Sequence, residues 1–570
     1  MEKWIVYAKK ADFAGIGKKF GIDQVVARVI RNRDVIEEED IRKYLHGNLN
    51  DLGSPWLLKG MEEAVDILEQ KIAEGKKLRV IGDYDIDGIT ASYILLEGLG
   101  RVGAKTDIYI PDRVADGYGL HEHLIQKAIE DQVDTIVTCD NGISAAHEIQ
   151  YAKENKMTVI VTDHHDIPCK EEDGHKEYIL PPADAVINPK QPGCTYPDKN
   201  LCGAVVAFKL VTALYERMGI PQKELERFLQ FAAIATVGDV MDLQGENRIL
   251  VKEGLKRLNR TENKGLKALI NANSLEEKEI TSYHVGFVLG PCINASGRLD
   301  TAMRSLKLLQ AQTDEEAERL AEELTELNQT RKALTEEGKE QAIQQVETTE
   351  LKNDRVLVIY LPDCHESLAG IIAGKIREKY NKPTIVITKG EKSAKGSGCS
   401  IEAYSMLEEI RRCSDLLLQF GGHPMAAGLS LEEDQIEEFR RRLNDNCTLT
   451  QDDLTPRINI DVPMPISYIT QDLVRQFSIL EPCGKGNRKP IFAQKDLCVL
   501  EKRIVGKNRN VVTVKLSDAA GKVMKGIYFG DAEEFFSFLD RKDRISVVYY
   551  PEINSYRGVD SVQIIIEHYM

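Results

Sequence analysis

From about residue 78 to residue 190, short apolar runs alternate with amphipathic segments. "LRVIGD", "TDIYIP", "TIVTCD", "TVIVTD" and "DAVINP" read as strands. "ITASYILLEGLGRVG", "HEHLIQKAIED" and "SAAHEIQYAKENK" read as the helices between them. Such alternation predicts a parallel sheet covered by helices on both faces. A mostly helical stretch follows, including "KELERFLQFAAIATVGD". The next long segment opens at Thr313, which forms a capping box with Glu316. Ala317, Leu320, Leu324, Leu327, Arg331 and Leu334 then recur at helical spacing as a narrow apolar stripe. No proline interrupts roughly 34 residues, so the pattern predicts one helix of ~50 Å at 1.5 Å per residue. It reads as a connector between two α/β domains. "DRVLVIYLP", the helical "SLAGIIAGKIREKYNK" and "PTIVITK" supply the second β-α-β set. From Pro456 the texture turns β-rich, with "NVVTVKLSD", "RISVVYYPE" and "DSVQIIIEHY", which predicts a small closed or nearly closed barrel.

These patterns divide the chain into an N-terminal segment packing on the core (1–60), an α/β domain (61–310), a connecting helix (311–350), a smaller α/β domain (351–452) and a C-terminal β-barrel (453–570). A length of 570 residues agrees with two to four domains. Hydrophobic content of 42% and charged content of 29% are those of a soluble globular protein. No apolar run is long enough to span a bilayer, and "MEKWIVYAKKADF" lacks the apolar core of a signal peptide. The 11 cysteines include no C-x-x-C pair, so reduced thiols in a cytoplasmic protein are expected. A net charge of −16 argues against unspecific coating of nucleic acid, while leaving room for a local basic groove.

The candidate chemistry begins at "GDYDIDG", where Asp83, Asp85 and Asp87 alternate before a glycine. An EF-hand loop starts this way, but it needs a preceding helix and a glutamate at its twelfth position. Counting from Asp83, that position is Ile94, and "LRVIG" is a short apolar run. Calcium is therefore excluded. Asp83 follows the first strand, Asp140 closes "TIVTCD", and Asp163 closes "TVIVTD" with His164 and His165 directly behind. In open parallel sheets the ligand crevice lies beyond the carboxyl ends of the strands, so these groups converge on one edge. Solvated turn acids are the plainer reading of any single one. Together, such crowding would be prohibitively repulsive without cations. Oxygen ligands with one or two imidazoles suit Mn²⁺ or Mg²⁺ better than zinc. One carboxylate bridging two ions ~3.5–4 Å apart would build a two-metal site for attack on a phosphate ester.

"DYDIDG", "TCDNG", "DHH" at 163–165 and "TVGDV" at 236–240 match, in order, the four motifs of DHH phosphoesterases. "DGYGL", "INPKQPGCTYP", "NLCGAVVAFKL", "GPCINASGRLDTA", "GGHPMAAG" and "LEPCGKGNRKPIF" extend the match over nearly the whole chain. Taken together, the sequence resembles the RecJ family of single-stranded-DNA-specific exonucleases. The resemblance implies a parallel-sheet DHH domain, a long connecting helix, a smaller α/β DHH-associated domain and a C-terminal OB-like barrel. It implies that Asp85 and Asp140 hold one divalent cation, Mn²⁺ or Mg²⁺. Asp87, Asp140, His164 and Asp239 would hold the second, with Asp140 shared and Asp83 beside them. His165 would contact the scissile phosphate or the attacking water, and Asp163 would orient a ligand histidine. No cysteine shows a paired base, which excludes a thiol mechanism.

For substrate, the resemblance nominates Ser397, Ser400, Gly422 and His423 in the DHH-associated domain and Arg298 as a phosphate clamp. Cys399 and Cys292 stand where the family usually carries arginine, which removes bidentate phosphate contacts. Lys392 and Lys395 are the nearby candidates to compensate. In the barrel, Lys485, Arg488, Lys502, Arg503, Lys507 and Arg509 form a basic region, with Phe492, Tyr528 and Tyr556 as candidate stacking aromatics. The implied activity is 5′-to-3′ hydrolysis of single-stranded DNA in recombination and repair by a cytoplasmic monomer. A single-strand-binding protein or a helicase is the implied protein partner. Two alternatives are a DHH phosphodiesterase acting on short RNA or cyclic dinucleotides and a non-catalytic binding protein. The barrel argues against the first, and the complete metal motifs against the second.

Overall fold

The computed structural model describes residues 2–570 except 114–115, 118, 173–174, 391, 507 and 557, and leaves out the side chains of 171, 172, 175 and 556. Strands β1 Lys77–Ile81, β2 Lys105–Tyr109, β3 Thr135–Cys139, β4 Thr158–Thr162 and β5 Ala185–Ile187 form a fully parallel sheet in the order β2-β1-β3-β4-β5. Strand β3 is buried along its whole length, as its near-continuous apolar sequence requires for a strand covered on both faces. Ile81, Ile136, Val159 and Val161 pack with Leu124, Ile125 and Ile149 of the helices Glu122–Glu130 and Ala146–Glu154. The alternate residues Val80, Val137 and Ile160 are equally buried on the other face. The helices Ile86–Arg101 and Gly203–Met218 cover that face.

The connecting helix is a single element, Asp314–Thr348, capped by the Thr313 hydroxyl accepting from the Glu316 amide at 3.2 Å. Its buried face departs from the expected apolar stripe. Beyond Leu324 it runs through Asn328, Thr335, Gly338, Ala342 and Val346, while Leu334 is exposed. The cause is close approach: a Cβ on Gly338 would lie 2.5 Å from Ile372 of the next helix. Small and polar side chains therefore line a seam that leucines could not fit.

That next helix, Ala369–Tyr380, connects β6 Leu357–Tyr360 to the parallel strand β7 Thr384–Lys389. Strands β8 Ala394–Cys399, β9 Leu417–His423 and β10 Ala426–Leu431 extend the sheet antiparallel, in the order β9-β10-β8-β7-β6. Ile385, Ile387 and Phe439 centre the core on one face, Val386, Ile372 and Ile376 that on the other.

A second compact unit gathers three separate stretches, 2–52, 240–253 and 457–570. Its barrel runs through β11 Val462–Pro463, β12 Phe492–Val505, β13 Val511–Ser517, β14 Val523–Phe529, β15 Arg544–Tyr556 and β16 Val559–Tyr569. The sheet order β11-β12-β13-β14-β16-β15 closes through a β12–β15 pairing, with Phe492 opposite Tyr549. Val26, Ile30 and Tyr44 of the N-terminal segment share one core with Ile466, Phe492, Leu497 and Tyr549. Among the described residues, two arginines are buried in this unit. Arg33 makes a bidentate pair with Asp461 at 2.6 and 3.0 Å. Arg248 donates to the carbonyls of Tyr44, Ile479, Leu480, Glu481 and Pro482. A guanidinium carries five N–H donors, so five carbonyls satisfy it in place of a counter-charge.

Candidate metal centre

The first sheet reverses its strand order between β1 and β3, which opens a crevice at their carboxyl ends. Asp83 leaves β1 into this crevice and Asp140 leaves β3, both almost fully buried. Asp140 adopts a left-handed backbone, φ +60°, which an aspartate tolerates better than a bulky residue. Asp85 caps the helix Ile86–Arg101, its Oδ1 accepting from the amides of Asp87 (2.9 Å) and Gly88 (3.1 Å). Gly88 explains the glycine of "DIDG": a Cβ there would meet the Asp83 backbone at 2.4 Å. Asp87 turns inward, and its two oxygens accept from the amides of Gly203 (2.6 Å) and Ala204 (2.7 Å), the N-terminus of the helix Gly203–Met218. The helix end favours negative charge there. Gly203 is needed for the approach, since its Cβ would fall 2.6 Å from that of Asp140.

His164 directs Nε2 at the acids, 3.1 Å from Asp140 Oδ1, 3.6 Å from Asp87 Oδ2 and 3.7 Å from Asp239 Oδ2. Asp239 sits at the C-terminus of the helix Leu229–Gly238. Asp163 is not among the converging carboxylates. It accepts from the amides of Ile143, His164 and His165, and from His165 Nδ1 at 2.8 Å. Asn188, from "INPK", donates to the His165 carbonyl at 2.9 Å and so fixes the same loop from β5.

Three overlapping sets of ligand atoms result: Asp83, Asp85 and Asp140; Asp87, His164 and Asp239; Asp140, His164 and His165. Within each set all atoms lie within 4.8 Å of one another. Without cations the cluster holds protons instead. Burial and the neighbouring carboxylates raise the carboxyls of Asp83, Asp85 and Asp140 above the usual range. Burial works against the charged form of His165, but Asp163 overrides it and lifts the imidazole to about 9. The same bond overcomes the burial of Asp163 and holds it at about 2. Burial lowers His164, leaving a neutral imidazole with an available lone pair. Asp83 Oδ1 is buried without a hydrogen-bond partner. Hard oxygen donors, one neutral imidazole and an orphaned acid oxygen fit Mn²⁺ or Mg²⁺.

The substrate candidates fall in several environments. The Arg298 guanidinium donates to the Ser367 carbonyl at 2.8 Å and the Ser367 hydroxyl to the Arg298 carbonyl at 3.1 Å, joining the helix Gly290–Leu299 to the smaller α/β domain. Burial, with Arg113 and Arg331 nearby, lowers Arg298 to about 10. Ser397 lies over Gly370 at the start of the helix Ala369–Tyr380, and Cys399 Sγ is 3.6 Å from the Gly370 carbonyl on the same side. Gly422 has φ +140°, and a Cβ there would meet the Ala426 carbonyl at 2.5 Å. His423 is exposed at the turn between β9 and β10, its Nδ1 3.7 Å from Asp166 Oδ2 beside the histidine loop. Ser400 must be corrected. It is buried and its hydroxyl donates to the Tyr404 carbonyl at 2.5 Å, so it holds a turn and offers nothing to substrate.

Cys292 is buried among Asn273 and Asn328, and Arg331 of the connecting helix donates to Asn328 Oδ1 at 3.0 and 3.1 Å. An arginine thus stands beside Cys292. Its only sequence signal was its place on the supposed apolar stripe. Lys395 is engaged with Glu366 at 3.0 Å. In the barrel unit Lys485 and Arg488 are exposed, with Lys485 3.8 Å from Asp242. The loop carrying Lys485 does more with its backbone: Leu243 donates to the Lys485 carbonyl and Gln244 to that of Gly486. Lys502 pairs with Asp540, and Lys507 lies outside the described residues, as does the Tyr556 side chain. Phe492 is fully buried, which removes it as a stacking residue, and Tyr528 is half-buried against Phe535 and Tyr569.

Three family models match in sequence: the DHH family N-terminal domain over residues 77–236, the DHHA1 domain over 353–448 and the RecJ OB domain over 460–568. The single-stranded-DNA-specific exonuclease RecJ of Salmonella typhimurium is 33% identical over 565 residues, covering 95% of each chain. The chain belongs to the RecJ family. The RecJ of Bacillus subtilis is 35% identical over 551 residues, 96% of this chain and 68% of that protein. A crystal structure of RecJ in complex with Mn²⁺ from Thermus thermophilus superposes with a TM-score of 0.84 at 28% identity, over all of this chain and 79% of that one. The acid cluster described above is therefore the corresponding edge of a RecJ-family DHH domain.

Proposed function

We propose that this RecJ-family chain is a Mn²⁺- or Mg²⁺-dependent exonuclease that hydrolyses phosphodiester bonds of single-stranded DNA in the 5′-to-3′ direction, in recombination and repair. The observation that carries this reading is the meeting of three ligand sets at Asp140 and His164. Asp83, Asp85 and Asp140 would hold one ion, and Asp87, Asp140, His164 and Asp239 the other. When bound, the ions supply Lewis acidity, which lowers the pKa of water and offsets charge on the phosphate. The chain's own residues do the rest. Asp163 holds the His165 ring through Nδ1, and the two helix amides at Gly203 and Ala204 hold the Asp87 carboxylate in place. Arg298 would bind a phosphate oxygen of the strand, and Ser397, Gly422 and His423 would line its path. Lys485 and Arg488 would contact phosphates farther along.

Among the described residues no helix is long and apolar enough to cross a membrane, and we place the enzyme in the cytoplasm as a monomer. A single-strand-binding protein or a helicase would present its substrate. The test is incubation with Mn²⁺ and end-labelled DNA, single- and double-stranded, beside Asp140→Ala. Mononucleotides should come from single strands only, and the substitution should lower the rate at least ~10³-fold, because it removes the shared ligand. Equal digestion of both forms, or activity surviving in Asp140→Ala, refutes the reading.

A further inference from the structure

One helical run flanks the metal loop from end to end. It begins at Ser282, passes through a π-turn at Val285–Leu289 and continues as Gly290–Leu299. Its lower half is committed to the loop. A Cβ on Gly297 would meet the Tyr84 carbonyl at 2.4 Å, Asn294 Oδ1 accepts from the Ile86 amide at 2.8 Å, and a Cβ on Gly290 would lie 3.2 Å from Ile86. Gly286, one turn higher, faces Val237, two residues before Asp239. Around the π-turn, the upper end of the run carries two large aromatics with no cover. Tyr283 is 62% exposed and Phe287 is 67% exposed, with ring centroids 5.0 Å apart and planes tilted by 31°. The His284 ring meets Tyr283 edge-on at 5.7 Å and props it from the side.

Two adjacent aromatics left in water forfeit the burial that normally holds such residues inside a fold. π-turns inside helices occur frequently at functional sites, where the extra residue re-aims the side chains beyond it. Resting on the single-stranded-DNA reading above, we propose that Tyr283 and Phe287 form a stacking platform for nucleobases of the strand whose phosphate lies at the acid cluster. The argument for a nucleobase is continuity: the helical run that closes over Tyr84 and Ile86 below carries the two exposed rings at its upper end. Stacking needs no base identity, which suits an enzyme that must accept every sequence. Of the barrel aromatics considered above, Phe492 is buried and Tyr528 is half-buried against Phe535 and Tyr569.

The test compares two fluorescent oligomers of equal length, one oligothymidine and one with abasic sugars throughout, binding in Ca²⁺ by anisotropy. The full-length protein should prefer the thymidine oligomer by tenfold or more, since one stacked base is worth about that factor. Tyr283→Ala with Phe287→Ala should abolish most of the preference and leave abasic binding unchanged. Tyr283→Trp with Phe287→Trp should retain it. A preference untouched in the alanine double variant, with a wild-type melting curve, overturns the platform alone. So does equal loss for both oligomers, which marks a structural role, or a change in sedimentation without a change in preference, which marks a contact between copies. Failure of the wild-type protein to bind either oligomer overturns the single-stranded-DNA reading and the platform with it.

Discussion

Asp163 shows how much one carboxylate can organise without touching the cluster it serves. It binds three backbone amides and the His165 ring, so it fixes both the course of the loop and the place of the ring. In Asp163→Asn the metal-free His165 should titrate near its ordinary 6.5 rather than about 9, which histidine NMR in EDTA reads directly. The stability consequence has a definite sign. The raised histidine contributes fully below pH 6.5 and is lost as pH rises through about 9. The depressed aspartate contributes above its ordinary value and is lost as pH falls through about 2. The urea midpoint of the wild type should therefore exceed that of Asp163→Asn most between pH 4.5 and 6.5, windows set by those two shifts. A gap as wide at pH 9.5 as at pH 5.5 would mean that the pair is not coupled. The raised carboxyls of Asp83, Asp85 and Asp140 carry a second prediction. Divalent ions compete with protons for these carboxyls, so Mn²⁺ uptake should release protons and tighten as the pH rises. Calorimetry in two buffers of different ionisation enthalpy measures the release, and identical heats in both would contradict it.

At the scale of elements, the sequence was most legible where periodicity alone decides the outcome. Five parallel strands and the helices between them follow from the alternation, and the acids at the ends of β1, β3 and β4 follow from the rule for parallel sheets. Legibility failed where a side chain's role depends on an unseen neighbour. Ser400 reads as a phosphate ligand in a glycine-rich run, yet the turn to Tyr404 takes its hydroxyl. Ser400→Ala should cost about 1 kcal/mol of stability with the KM for DNA unchanged. A raised KM at wild-type stability would restore it to the substrate path. Arg331 was hidden inside an assumed apolar stripe, and Leu334 was assigned to a seam that only small residues can enter. Arg248 carried no motif at all. Replacing it by Met keeps much of its volume but leaves five carbonyls unpaired, so unfolding should become easier by about 3–5 kcal/mol. A denaturant midpoint equal to wild type would show that water satisfies those carbonyls at no cost.

Across the whole molecule, chain order and compact units do not coincide. Asp239 ends a stretch belonging to the α/β unit, and Val240 begins one belonging to the barrel unit. Val240 has φ +55°, a strained conformation for a β-branched residue, and within four residues Leu243 and Gln244 are bound to the backbone of the Lys485–Gly486 loop. Within the barrel unit, the backbone after Val240 is thus held by residues more than two hundred positions away. A chain ending at residue 456 would lose that loop, the Asp461 partner of Arg33 and four of the five carbonyls that bind Arg248. It would also expose Val26 and Ile30, which are buried with Phe492 and Tyr549. Buried charge left unpaired is among the most costly losses a fold can suffer. Such a truncation should leave residues 2–52 open to proteolysis, which limited proteolysis read by mass spectrometry measures. A truncated chain with a resistant N-terminal segment would show that residues 2–52 hold their fold without the barrel strands.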